Sequence, residues 1–256
     1  MRLAIGLVSL ALVGAAQAKT PTYDGVASSG PAQISHGERL TYVLHCTECH
    51  TPALTGRLFR STPDGKAALY ASNLTLEVPK LSDAELRGVL TRGVHPRRGE
   101  LYSMPADMFR YLAASDLDAI IAYLRTLKPA GEPTPDPKVP PKAKPISAWM
   151  REAEGKRPIE AGAAHARGRY IAETACGTCH GPQLNGEEDW SPNLIIAASY
   201  SRAEFETLLT TGKASDGHEV KEPMSTVARE CFPHLTKRER DELYAYLKAR
   251  AMRVSE

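Results

Sequence analysis

A five-residue pattern occurs twice in this chain, as Cys46-Thr47-Glu48-Cys49-His50 and as Cys176-Gly177-Thr178-Cys179-His180. No other feature limits the fold so tightly. Two thiols three apart can each add across a vinyl group of one porphyrin, and the adjacent histidine can then swing beneath the ring to ligate iron. A lone C-x-x-C reads equally well as a redox dithiol or as half of a zinc site. Two copies, each ended by histidine and each followed by a candidate methionine, point instead to two covalently bound haem c groups. Cys46 and Cys49 would hold one, and Cys176 and Cys179 the other.

The residues around each copy repeat as well. A helix expected from Ser35, with Glu38 closing a capping box, runs through Leu40, Val43 and Leu44 into the first motif. Gly168-Arg169-Tyr170-Ile171 leads a helix into the second. Gly37 precedes Cys46 by nine residues and Gly168 precedes Cys176 by eight, each placed to let another helix approach. Irregular stretches over 51–80 and 181–199 follow, dense in Pro, Gly, Asn and Ser. Both contain Asn-Leu (Asn73-Leu74, Asn193-Leu194), and loops this long in a small domain are expected to wrap a ligand. Amphipathic helices over 82–92 and 201–211 then end at Gly93 and Gly212. Loops carrying Met104 and Met224 come next. Final helices open on the pairs Ser115/Asp118 and Thr236/Glu239 and contain Ala122-Tyr123-Leu124 and Ala245-Tyr246-Leu247.

The expected fold is all-α, with domains over 33–128 and 161–256 and a linker over 129–160. Seven prolines between Lys128 and Pro145 make that linker an extended, stiff strap lying on the surface of one domain. Trp149 and Met150 read as interdomain packing, and residues 19–32 as a loose leader.

Iron in a porphyrin takes two axial ligands, and the motif histidines His50 and His180 supply the first. Methionine thioether is the usual second, which nominates Met104 and Met224. Met108 could replace Met104 on distance alone but has no counterpart in the second half. His95 and His218 lie in the loops before the methionines, leaving a bis-histidine arrangement open. Cys231, the one cysteine outside the motifs, reads as a buried inert thiol, an intermolecular disulfide or a rival ligand at the second iron. A ligating histidine normally donates its other ring N–H to a fixed acceptor. The Pro192 carbonyl is the candidate in the second half, and Ser72 stands in its place in the first.

Arg2, an apolar run from Leu3 to Ala16 and the ending Ala16-Gln17-Ala18 read as a signal peptide over 1–18, cleaved after Ala18. Covalent haem attachment on the far side of the bacterial inner membrane makes the expected location periplasmic. Thirteen basic against eleven acidic residues over 19–128, and twelve against fourteen over 161–256, exclude a nucleic-acid-binding class.

Beyond the motifs, Thr62-Pro63-Asp64-Gly65, Tyr70-Ala71-Ser72-Asn73-Leu74-Thr75, Arg92-Gly93-Val94, Leu101-Tyr102-Ser103-Met104-Pro105 and Ala122-Tyr123-Leu124-Arg125 carry a resemblance. So do the proline-rich strap, Trp149 and Gly168-Arg169-Tyr170. The chain resembles tandem class I cytochromes c, and more closely the cytochrome c subunits of membrane-associated alcohol, gluconate and related dehydrogenases. Members of that group carry three haems, whereas this chain has two motifs and no recognisable membrane-binding tail. The resemblance implies an electron carrier rather than an enzyme, with a dehydrogenase, other cytochromes and a terminal oxidase as redox partners, through which it could also associate peripherally with a membrane. The rival class is a dihaem enzyme, such as a cytochrome c peroxidase or a thiosulfate dehydrogenase.

Overall fold

The computed structural model describes residues 20–254; the signal-peptide reading lies outside them. Helix α1 (Gly30–Val43) carries the first motif, which forms α2 (Cys46–His50). The predicted Ser35–Glu38 capping box does not form. Ser29 is the N-cap, and Pro31, whose fixed φ and missing N–H suit the first helical turn, starts the helix earlier. Between α1 and α2 the chain breaks at His45, which takes a left-handed φ of 62°.

An antiparallel hairpin follows, β1 (Arg57–Ser61) and β2 (Ala68–Ala71), inside the stretch expected to be irregular throughout. After α3 (Leu74–Glu77) comes α4 (Asp83–Arg92), capped by Ser82 and Glu85 and ended, as expected, by Gly93 at φ +64°. A two-residue ladder, β3 (Val94–His95) with β4 (Gly99–Glu100), leads to the Met104 loop and α5 (Ala106–Phe109). The last helix of the first domain, α6 (Ala114–Leu124), lacks the expected Ser115–Asp118 capping box, because it starts behind Ala113 and leaves Ser115 inside its first turn, while Asp118 pairs with Arg87.

The strap lies on the first domain, as its composition demands. Lys138 exchanges two backbone hydrogen bonds with Ala68 (2.8 and 2.9 Å), and the Ala130 carbonyl accepts from Asn73 Nδ2 at 2.7 Å and Thr75 Oγ1 at 3.0 Å. Helix α7 (Ile146–Glu152) returns the chain, with Ile146 beneath Gly93. Trp149 does not fill the domain interface; it is exposed, with Lys144 Nζ 4.5 Å from its ring centre.

The second domain repeats the plan with α8 (Ala166–Ile171) and a π-helical turn over Ala172–Cys176 before α9 (Gly177–His180). That turn spares it the break seen at His45. Then come α10 (Arg202–Thr211), capped by Ser201 and Glu204, α11 (Met224–Thr226), and α12 (Lys237–Val254), capped by Thr236 and Glu239. In both halves the final helix crosses the motif helix at its glycine. A Cβ on Gly37 would stand 1.9 Å from the Ala119 carbonyl oxygen, and one on Gly168 2.1 Å from that of Glu242. Tyr246 is buried in the second joint and donates to the Ile159 carbonyl at 3.0 Å; Tyr123 is only half-buried in the first.

The two domains meet in a pseudo-symmetric interface. Met108-Phe109 and Leu112 of the first correspond to Cys231-Phe232 and Leu235 of the second, and Asp116 on α6 corresponds to Glu239 on α12. Both carboxylates are fully buried and gather donors from across the seam. Asp116 accepts from His36 Nε2 (2.7 Å), Tyr170 Oη (2.7 Å) and the Tyr23 amide (3.0 Å). Glu239 accepts from both terminal nitrogens of Arg39 (2.8 and 3.1 Å) and the Asp24 amide (2.7 Å). Residues 20–29 are therefore no loose leader. Tyr23 is 1% exposed, wedged between the domains with its hydroxyl 2.8 Å from Thr174.

Candidate haem centres

The two motif helices end at the same kind of anchor. His50 Nδ1 donates to the Ser72 carbonyl at 2.7 Å, and His180 Nδ1 donates to the Pro192 carbonyl at 2.8 Å. Serine and proline serve equally here because only the backbone oxygen is used. The loop that supplies it is held by Asn73 or Asn193, whose side chain caps the next turn by accepting from the Thr75 or Ile195 amide. Burial pulls both histidines below the ordinary imidazole range, against the opposing pull of those carbonyls. Each is thus a neutral ring with Nδ1 tied down and with no hydrogen bond at Nε2 among the described residues, which is how a protein presents imidazole to a metal.

That arrangement fits haem iron. It does not fit a bare zinc ion, since no three His, Cys, Asp or Glu side chains converge among the described residues and a structural zinc needs four ligands. None of the five cysteines is in a disulfide. Burial raises the thiols of Cys46 and Cys176 to about 12 and that of Cys49 to about 11, so all three are protonated at neutral pH.

Met104 and Met224 both lie half-buried against the core, Met104 in a loop and Met224 at the start of α11, each reached from a fixed stem. Leu101 N donates to the Gly93 carbonyl (2.8 Å) and Val220 N to that of Gly212 (2.9 Å). Of the rivals, Met108 is buried against Gly177, where an added Cβ would meet its sulfur at 2.5 Å. His95 accepts at Nδ1 from the Arg97 and Arg98 amides (3.2 and 3.3 Å), while its buried Nε2, 3.9 Å from Glu77, makes no hydrogen bond among the described residues. His218 is exposed and pairs with Asp216. Cys231 is fully buried in the first domain's neighbourhood, beside Cys46 and hydrogen-bonded to Thr47. Its place is the interface, and burial drives its thiol well above the usual range.

Sequence reasoning missed how the motifs sit relative to each other. The His45 ring lies 2.8 Å from the Ala175 carbonyl through Nε2, joining the residues that immediately precede the two motifs. Cys179 of the second motif bears electrostatically on Cys49 of the first, and Glu48 of the first bears on Cys179. Met108 touches Gly177 within the second motif while Cys231 touches Thr47, the equivalent residue of the first. The motifs are packed back to back. The repeat of Met108-Phe109 as Cys231-Phe232 was the available signal.

The sequence model of the cytochrome c family matches the chain twice, over residues 34–128 and 165–251. The chain belongs to the cytochrome c family and consists of two tandem cytochrome c domains, which bind haem c and serve haem-based electron transfer. A search of curated proteins found no match.

Proposed function

We propose that the chain is a periplasmic dihaem electron carrier, taking single electrons from a dehydrogenase or another cytochrome and passing them towards a terminal oxidase. Cys46 and Cys49 would hold one haem c and Cys176 and Cys179 the other, with His50 and Met104 as ligands of the first iron and His180 and Met224 of the second. Haem c supplies a one-electron couple, and a thioether ligand favours its ferrous state.

The residues of the chain do the rest. The Ser72 and Pro192 carbonyls fix the imidazoles, so neither ligand need reorient when the charge on iron changes. With a histidine and a methionine on each iron, no coordination position would be left for a substrate, and the chain would make and break no substrate bonds. The observation that carries this reading is the back-to-back packing of the two motifs, which suits electron exchange within one molecule.

Near-infrared and EPR spectra of the oxidised protein test it. Two low-spin His/Met signals are expected, and Met104→Leu and Met224→Leu should each remove one. A high-spin, thiolate-ligated or bis-histidine haem in the parent protein would favour a dihaem enzyme, and peroxide or thiosulfate would then be the substrates to try.

A further inference from the structure

The loops that follow the two motif histidines start alike. Gly56 and Gly186 both take left-handed φ (76° and 81°), and a Cβ on either would stand 2.4 Å from a carbonyl oxygen, of Ala71 and Ser191 respectively. Between these fixed points the halves differ. The second domain crosses the gap with Glu187, Glu188, Asp189 and Trp190, closed by paired Glu187–Ser191 backbone bonds of 3.0 Å. The first inserts the β1–β2 hairpin.

All five residues of β1 are exposed, including Leu58 at 49% and Phe59 at 37%. The strap's Lys138 pairs with Ala68 of β2 and steadies the hairpin, but the apolar side chains of β1 gain nothing from standing in solvent. Arg57 and Arg60 flank them and make no ion pair among the described residues; Arg57 reaches back to the Glu48 carbonyl of the motif. Lys66 near the turn is also exposed. Arginine and aromatic side chains around a small apolar centre are what protein contacts use as anchors.

We propose that this hairpin is the docking arm of the first haem domain, and that its partner is a redox protein with an acidic rim around an apolar patch, a reading that rests on the electron-carrier function above. The arm is joined to the first iron site, because β2 runs directly into Ser72, the residue that holds His50. The equivalent loop of the second domain carries three acidic residues and an exposed tryptophan (57%). It repels the same partner and offers the second haem to a basic one. The opposite charges give the two haems different clients and the molecule a direction.

The test uses the reduced, ¹⁵N-labelled holoprotein and hexacyanochromate(III), a redox-inert paramagnetic anion. Amide broadening is expected at 57–60 and 66, with 187–190 spared, and should vanish in an Arg60→Glu/Lys66→Glu double variant. In the same variant, oxidation by hexacyanoferrate(III) should slow about tenfold for one haem at low ionic strength, with the other unchanged and the difference erased by salt. Broadening centred on Arg97 and Arg98, or kinetics unaltered in the double variant, would overturn the assignment. So would arginine-dependent co-sedimentation with phosphatidylglycerol vesicles, which would make the occupant a lipid surface, or salt-sensitive self-association lost in the variant, which would make it a second copy. If neither haem exchanged electrons with hexacyanoferrate, the carrier reading would fail while the broadening still reported on the arm.

Discussion

Met104 and Met108 lie one helical turn apart in sequence, and only the lack of a counterpart to Met108 in the second half favours Met104 as the ligand. The structure separates them by neighbours. Met108 is 1% exposed and fills the space above Gly177 on the other domain, where the lack of a side chain makes room for its flexible thioether. Met108→Ala is therefore expected to open an interface cavity and cost about 2–5 kcal/mol, while Met108→Leu, close in volume, should cost under about 1.5 kcal/mol. Both variants should keep two methionine-to-iron charge-transfer bands, and a variant that lost one would return the ligand role to Met108. The two motifs were legible because their pattern is local. The roles of Met108 and Cys231 were not, since their partners Gly177 and Thr47 belong to the other half of the chain and no spacing rule connects them.

At the scale of elements, one of the three expected capping boxes forms, Thr236 with Glu239. Ser35 and Ser115 do not cap, because each helix starts before them, α1 behind Ser29 with Pro31 in its first turn and α6 behind Ala113, which leaves both serines inside a helix. Ser82 with Glu85 and Ser201 with Glu204 form boxes that sequence reasoning had not singled out. The hairpin was hidden because its turn, Thr62-Pro63-Asp64-Gly65, lies in a stretch whose composition reads as loop. The glycines at the helix crossings allow a sharper test. Alanine is favoured over glycine in a helix by about 1 kcal/mol, but at Gly37 and Gly168 the new methyl would meet the carbonyl of a packed helix near 2 Å, which cannot yield without parting α1 from α6 or α8 from α12. Overpacking of about 1–3 kcal/mol outweighs the propensity gain, so Gly37→Ala and Gly168→Ala should lower the urea midpoint. Gly88 is the control. Its added methyl would meet only the end of the Arg92 side chain, which can swing away, so Gly88→Ala should be neutral or stabilising in the same assay.

The whole molecule depends on a short segment that composition alone marked as featureless. Asp24 lies where the domains meet, with Arg39 of the first domain donating to its carbonyl at 2.6 Å and Thr236 of the second to its carboxylate at 2.7 Å. Arg167 pairs with the same carboxylate, and Arg238 lies 3.8 Å away; the acidic neighbours Glu239 and Glu242 are themselves held by Arg39 and Arg167. Partial burial would raise the Asp24 carboxyl, but the Thr236 hydroxyl and the Arg167 guanidinium outweigh it and hold the group below the ordinary carboxylate range. A carboxylate whose folded-state value is depressed stabilises fully above its unfolded value, about 3.9, and loses that contribution as pH falls through the folded one. Asp24→Asn should then cost about 1–3 kcal/mol at pH 7, where its donors lose a charged acceptor. The gap from the parent protein should narrow steadily below about pH 4, where the parent carboxylate itself becomes protonated. Urea unfolding of both proteins at pH 7 and pH 3 measures that gap. Equal gaps at the two pH values would mean that the charge of Asp24 does not fasten the domains, leaving the seam to the buried contacts of Tyr23, Met108 and Cys231.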